Sequence, residues 1–205
     1  MKKKIIFTLL GIMTTFIVLA IIGVGISKIS KPQDPEDIIT TLSKKQGYKS
    51  DVTIEVVNDM QTLVYKGHQV YKKDVAYKLD LNEGRTFTFR GEEVIVVDKE
   101  NKRDYKVDKA FDEVLKYGFI GEYIGLIYTN EDLGYKKETI NDEELLLIEV
   151  LIPGSNRNLF KGIMYVSIKD NLPKKLVIYD EKEKERVRYT YDNFNWTEKI
   201  NDEEL

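Results

Sequence analysis

One histidine, no cysteine and a surplus of carboxylates are what this chain offers for chemistry. His68 stands in the stretch YKGHQVY. To act as a general base it would need a hydroxyl or thiol nucleophile beside it. There is no thiol, and no serine lies in a Gly-x-Ser-x-Gly turn. His68 therefore reads as an ordinary strand residue. A zinc site takes three or four nitrogen, sulfur or carboxylate ligands, and here only carboxylates could complete it. The stretch DLNEG at Asp80–Gly84 has a calcium-loop flavour but lacks the ligand ladder and the closing glutamate, so it reads as a hairpin turn. No glycine-rich phosphate loop joins a strand to a helix. The carboxylates gather in DEKEKE and NDEE, which read as solvated turns. A glycosidase-type acid pair stays open on sequence alone. The expectation is a protein that is not an enzyme and holds no metal and no cofactor.

Charge and composition narrow the remaining classes. The net charge of −3 is a modest excess over well-mixed signs. A nucleic-acid partner would call for a basic face, so none is expected. Without cysteine there are no disulfides and no thioether-linked lipid, and an exported domain would have to be stable through its core. Thirteen tyrosines and eight phenylalanines favour strands.

The N-terminus sets the expected compartment. Lys2, Lys3 and Lys4 precede a stretch from Ile5 to Ser27 without a charged residue. A helix needs about 20 apolar residues to span a bilayer, whereas a cleavable signal has a core of about 7–15 and a small-x-small site. Gly23-Val24-Gly25 is a poor version of such a site. Residues 1–27 therefore read as a retained signal-anchor, with a cleaved peptide as the alternative. The lysines would hold the N-terminus inside and place the remainder outside the cytoplasmic membrane, or a spore membrane, as a single-pass protein. Residues 28–34 form a polar spacer, in which Pro32 blocks continuation of the helix. Residues 35–205 then form one extracytoplasmic domain.

Within that domain the apolar period is first helical and then strand-like. Asp34 and Pro35 suit a helix start, Ile38, Ile39 and Leu42 make its apolar stripe, and Gly47 is placed to end it. Short alternating segments joined by tight turns follow to about Asp108, for about six strands. From Phe111 to Tyr128 the spacing turns helical again, with Gly118 and Gly121 separating two short helices. About five more strands close the chain, among them ELLLIEVLI, apolar on both faces and so expected to be central and covered twice. The sum is an α+β domain: a large curved antiparallel sheet of about 11 strands, curling towards a half-open β-barrel, with an N-terminal helix and a helical lid. The hexapeptide INDEEL occurs at Ile140–Leu145 and again at Ile200–Leu205, and reads as a coincidence between a turn and a tail.

Two regions are candidates for function. The helical insertion closes the core or forms a lid over an apolar pocket lined by Phe111, Leu115, Phe119, Tyr123 and Ile127. The last strand, RVRYTYDNFNW, either packs its aromatics inward or offers Arg188, Tyr189, Tyr191, Phe194 and Trp196 to a partner.

The order helix, meander, helical insertion and further strands resembles the LolA-like superfamily of bacterial envelope proteins, over residues 36–200. So does the ending LPKKLVIYDEKEKERVRYTYDNFNW, a proline-led strand, a charged hairpin tip and a strand with YTYDNF. The resemblance implies a half-open barrel with a helical lid, in proteins that carry lipoproteins, sense envelope stress or serve as non-enzymatic partners. Within the superfamily the chain looks most like the GerS-type germination lipoproteins of spore-forming clostridia. That implies binding to a spore-cortex N-acetylmuramoyl-L-alanine amidase during sporulation and germination. Those proteins are lipidated on cysteine, which this chain lacks, and its N-terminal apolar run would replace the lipid. A lipid ligand in the concave face is the alternative partner, and a homodimer through strand edges stays open.

Overall fold

The computed structural model describes residues 34–108, 113–130 and 133–205. The expected anchor, all but the last residue of the spacer, and Phe111 lie outside the described residues. Among the described residues no helix is long and apolar enough to cross a membrane.

Helix α1 spans Pro35–Ser43 and buries Ile38, Ile39 and Leu42, the stripe expected from the spacing. It ends a turn earlier than expected, because Gly47 opens the first strand instead of capping the helix. A side chain at Gly47 would lie 2.7 Å from the Tyr71 carbonyl oxygen, so this strand start needs glycine for close approach. Six strands follow: β1 (Gly47–Val57), β2 (Thr62–Lys72), β3 (Ala76–Leu81), β4 (Arg85–Arg90), β5 (Glu93–Asp98) and β6 (Arg103–Asp108). Helices α2 (Glu113–Tyr117) and α3 (Ile120–Thr129) form the insertion. Gly118 lies in the break between them, whereas Gly121 falls inside α3. The chain closes with β7 (Gly134–Ile140), β8 (Glu143–Leu151), β9 (Lys161–Ser167), β10 (Pro173–Tyr179), β11 (Glu185–Trp196) and a single 3-10 turn at Asp202–Glu204.

All strands join one open, curved 11-stranded sheet in the order β6-β5-β4-β3-β2-β1-β11-β10-β9-β8-β7. Every neighbouring pair is antiparallel. The two meanders on either side of the helices are sewn together by the first and last strands, with Val52 opposite Tyr191 and Ile54 opposite Tyr189. Residues of one pleat (Tyr48, Ile54, Leu79, Phe89, Leu146, Ile148, Met164 and Tyr189 among them) are fully buried under α1, α2 and α3 and make one continuous core. β8 is buried on both faces, as its composition requires, yet it lies one strand from the sheet's edge. Its outer leucines, Leu145 and Leu147, are 5% and 4% exposed. Leu147 is flanked in register by Tyr165 and Lys136, whose long side chains can cover the pleat without another layer.

The charged hairpin tip between β10 and β11 is built around one carboxylate. Asp180 Oδ1 accepts the backbone N–H groups of Lys182 at 2.8 Å and Lys184 at 2.9 Å, and Oδ2 accepts Arg186 Nε at 2.8 Å. Burial alone would raise this carboxyl, but those N–H donors and the guanidinium outweigh it and hold it below the usual carboxylate range. A depressed folded-state value stabilises the fold above the unfolded value, and that contribution is lost as pH falls through the folded value. D180N is therefore expected to lower Tm near neutral pH, with the gap to wild type closing in acid, as measured by thermal melts across pH.

Candidate functional site

The concave face is occupied by its own helices, held there by tyrosines. Gly118, in the break between α2 and α3, presents a carbonyl that accepts Tyr191 Oη at 2.9 Å and Gln69 Nε2 at 3.2 Å. Tyr48 Oη donates to Gln69 Oε1 at 3.2 Å and accepts the Ile120 N–H at 3.1 Å. Tyr189 Oη donates to the Val114 carbonyl. Tyr123 reaches the other way, from α3 into the sheet, where its hydroxyl lies 2.9 Å from the Ile148 carbonyl and 2.8 Å from that of Gly162. Burial raises the hydroxyls of Tyr48, Tyr123 and Tyr191 well above the ordinary tyrosine range, so all three stay protonated donors. Each hydroxyl has a buried backbone or amide partner.

Glycines let the layers meet. A side-chain carbon at Gly118 would lie 2.7 Å from the Tyr189 ring, one at Gly121 2.0 Å from the Tyr71 ring, and one at Gly162 2.7 Å from the Tyr123 ring. An aromatic stripe crosses the strands beneath α3. Trp196 and Phe194 pack edge to face at 4.8 Å, Phe194 stacks on Tyr48 at 4.8 Å, and Tyr48 on Tyr71 at 5.3 Å. Tyr71 meets Tyr77 at 5.7 Å, and Tyr77 stacks on Phe89 at 4.8 Å.

Two of the open clefts beside the helices are large enough to take a side chain or a small ligand group. One, of about 220 Å³, is apolar: Val56, Leu63, Tyr65, Leu81 and Phe87 of the sheet face Val114 and Leu115 of α2, with Arg85 on the wall. At its edge Leu63 is 40% exposed, and the adjoining β1–β2 turn carries Met60 at 94%. The other, of about 250 Å³, is polar: Tyr71, Tyr77 and Phe89 line it together with Asp74, Glu92 and Glu122. Glu122 Oε1 accepts the Tyr77 hydroxyl at 2.6 Å, and Lys116 Nζ lies 3.8 Å from Glu122 Oε2. Burial pushes the Tyr71 hydroxyl up to about 12, and the charges of Glu122 and Asp74 add to the rise.

The residues singled out in the sequence are distributed as follows. Leu115 lines the apolar cleft, whereas Phe119, Tyr123 and Ile127 are buried in the packed core and border neither cleft. Of the last-strand residues, Tyr189 and Tyr191 turn inward to the helices. Arg188 lies on the opposite face, bonded to Glu55 at 3.2 Å and Glu185 at 2.8 Å. Phe194 and Trp196 are partly buried at the end of the aromatic stripe. His68 also faces outward, with Nδ1 2.9 Å from Asp51 Oδ1 across the β1–β2 pair. Asp51 also accepts the Asn193 amide at 2.7 Å. Among the described residues no group of three or more His, Asp or Glu side chains could hold a metal ion. Sequence reasoning missed the polar cleft, whose carboxylates come from two hairpin turns and a helix far apart in the chain.

Comparison with known proteins follows the same lines. The family model described as "Sporulation protein YdcC-like" matches residues 2–205. No curated protein matches the chain. Among solved structures, an uncharacterized conserved protein from Thermus thermophilus aligns with a TM-score of 0.53 at 11% identity, over 82% of this chain and 90% of that one. A chain of the complex between the CwlD amidase and the GerS lipoprotein from Clostridioides difficile aligns with a TM-score of 0.50 at 22% identity, over 82% of this chain and 100% of that one. The LolA superfamily protein NE2245 from Nitrosomonas europaea aligns at a TM-score of 0.42 and 12% identity, over 82% and 95%.

Y48F leaves the buried Ile120 N–H without an acceptor and Gln69 Oε1 without a donor, and is expected to cost about 1–3 kcal/mol in urea unfolding. G121A drives a methyl into the Tyr71 ring and is expected to cost about 1–3 kcal/mol. In a double-mutant cycle with Y71A the two losses should fall short of additive.

Proposed function

The chain belongs to the YdcC-like sporulation protein family, and on that premise we propose that it is a membrane-tethered, non-enzymatic partner of a cell-wall amidase. It works outside the cytoplasmic or spore membrane, held by residues 1–27, during sporulation and germination. The half-open barrel expected from sequence is, in this reading, a scaffold whose hollow is filled. The observation that carries the partner role is that the concave face is occupied by α2 and α3 and bolted down through Gly118, Ile120 and Val114. A protein built this way offers a finished surface more than a large chamber. The fold likeness to a chain of an amidase–lipoprotein complex supports the choice of partner class. The uncharged run from Ile5 to Ser27 supports the tether.

A second reading is a carrier that takes a lipid or lipoprotein acyl chain. The apolar cleft beside Leu63 and Leu115 favours it. Its volume of about 220 Å³ is below the range of about 300–1,000 Å³ usual for ligand pockets, which makes it the weaker of the two.

The test is cross-linked affinity capture of the tagged full-length protein from sporulating cells, with intact-mass analysis of the bait and lipid analysis of the same eluate. Recovery of a cell-wall amidase, with residues 1–27 present in the bait, is the expected result. Lipid without an envelope enzyme would support the carrier instead, and a bait lacking its N-terminus would remove the tether.

A further inference from the structure

The polar cleft joins three features that sequence position does not predict. Its floor is aromatic: Tyr71 is partly exposed to it, and Tyr77 and Phe89 lie buried beneath on the next two strands. Its carboxylates come from three separate elements: Asp74 from the β2–β3 turn, Glu92 from the β4–β5 turn and Glu122 from α3. Its volume, about 250 Å³, suits a single long side chain better than a larger ligand.

The charge balance at the cleft is negative. Lys72, which also borders it, is directed elsewhere, with Nζ 3.0 Å from both the Ile200 carbonyl and Asp202 Oδ1. Lys116 stands against Glu122. Asp74 and Glu92 make no ion pair with any described residue, and both are exposed at the mouth. The tyrosines register the field. Burial comes first, but the Tyr71 hydroxyl is also raised by Glu122 and Asp74, and that of Tyr77 by its bond to Glu122, by the Glu122 charge and by Glu92. The fold uses cation–aromatic pairing elsewhere, with Lys45 Nζ 5.6 Å above the Trp196 ring at the far end of the same aromatic stripe.

We propose that this cleft receives a lysine or arginine side chain of the protein partner, its cationic head between the Asp74, Glu92 and Glu122 carboxylates and its stem against Tyr71. The inference rests on the partner reading above and supplies the chemistry of one anchor of that contact. Burial of a cation against aromatic rings, with carboxylates completing its shell, is a common form of interface anchor. The tilt of Tyr77 is fixed by Glu122, so the floor is preorganised.

The test uses the full chain in lipid nanodiscs with ring-labelled tyrosine, titrated with N-acetyl-lysine methylamide and, as the neutral counterpart, N-acetyl-norleucine methylamide. Saturable shifts of the Tyr71 and Tyr77 ring signals are expected with the lysine probe, with the norleucine probe at least about tenfold weaker. D74N/E92Q changes two exposed turn residues, and asparagine tolerates the φ of 58° at Asp74, so the fold is kept. This variant should weaken the lysine probe about tenfold. Equal binding of both probes, or indifference to D74N/E92Q, overturns the inference. In the capture experiment, loss of the enzyme with D74N/E92Q but not with wild type supports it. Equal recovery overturns the cleft's role and leaves the partner reading standing, whereas failure of the wild type to recover any enzyme overturns the partner reading itself.

Discussion

The carbonyl of Gly118 accepts two hydrogen bonds from the sheet, from Tyr191 at 2.9 Å and Gln69 at 3.2 Å. It sits where helix α2 has ended and α3 has not begun, so its lone pairs are not used by a helix. Gln69 is in turn oriented by Tyr48, and Tyr48 receives the first N–H of α3. These groups are buried, so a break in one leaves others unpaired at a cost of about 1–3 kcal/mol each. The helices are therefore fixed components of the core.

That placement depends on the seam in the middle of the sheet, where the first and last strands pair. Tyr48 belongs to the first strand and Tyr191 to the last, and the β1–β11 pairing joins the two strands, with Tyr48 opposite Trp196 and Tyr191 opposite Val52. A chain cut into its two meanders would have the donors for Gly118 on separate pieces. The fold thus couples its first and last strands to its middle, and the aromatic stripe from Trp196 to Phe89 crosses the same seam. The consequence for function is a firm concave layer with a polar cleft at one flank and an apolar one at the other.

Much of the architecture was legible in the chain. Period-two alternation marked the strands, Asn, Asp and Gly marked the turns, and the switch to helical spacing after Asp108 marked the insertion. Less was legible of the site. Phe119 and Tyr123 carry the same helical spacing whether they face a cavity or a core, and spacing contains no information about what lies opposite. Leu115 borders a cleft from α2, the helix that Tyr189 holds through the Val114 carbonyl. The carboxylates Asp74, Glu92 and Glu122 each looked like ordinary surface charge, and they converge only when two hairpins and a helix are packed together.

The hexapeptide INDEEL separates the two kinds of information. At Ile140–Leu145 it makes a two-residue hairpin, Asn141 and Asp142 both in the left-handed region at φ of 51° and 63°, with Ile140 paired to Glu143. At Ile200–Leu205 the same residues form a 3-10 turn in which the Asn201 N–H bonds Glu204 Oε1 at 3.0 Å, and Lys49 and Lys72 hold Glu204 and Asp202. Residue types alone dictate that both places are polar turns, because asparagine and aspartate accept either conformation at little cost. Which turn forms depends on the surrounding packing: a strand waits on both sides of the first, and a pair of lysines on the sheet waits for the second. Local preferences of a few tenths of a kcal/mol yield to such long-range partners, and the same holds for every group that meets at Gly118.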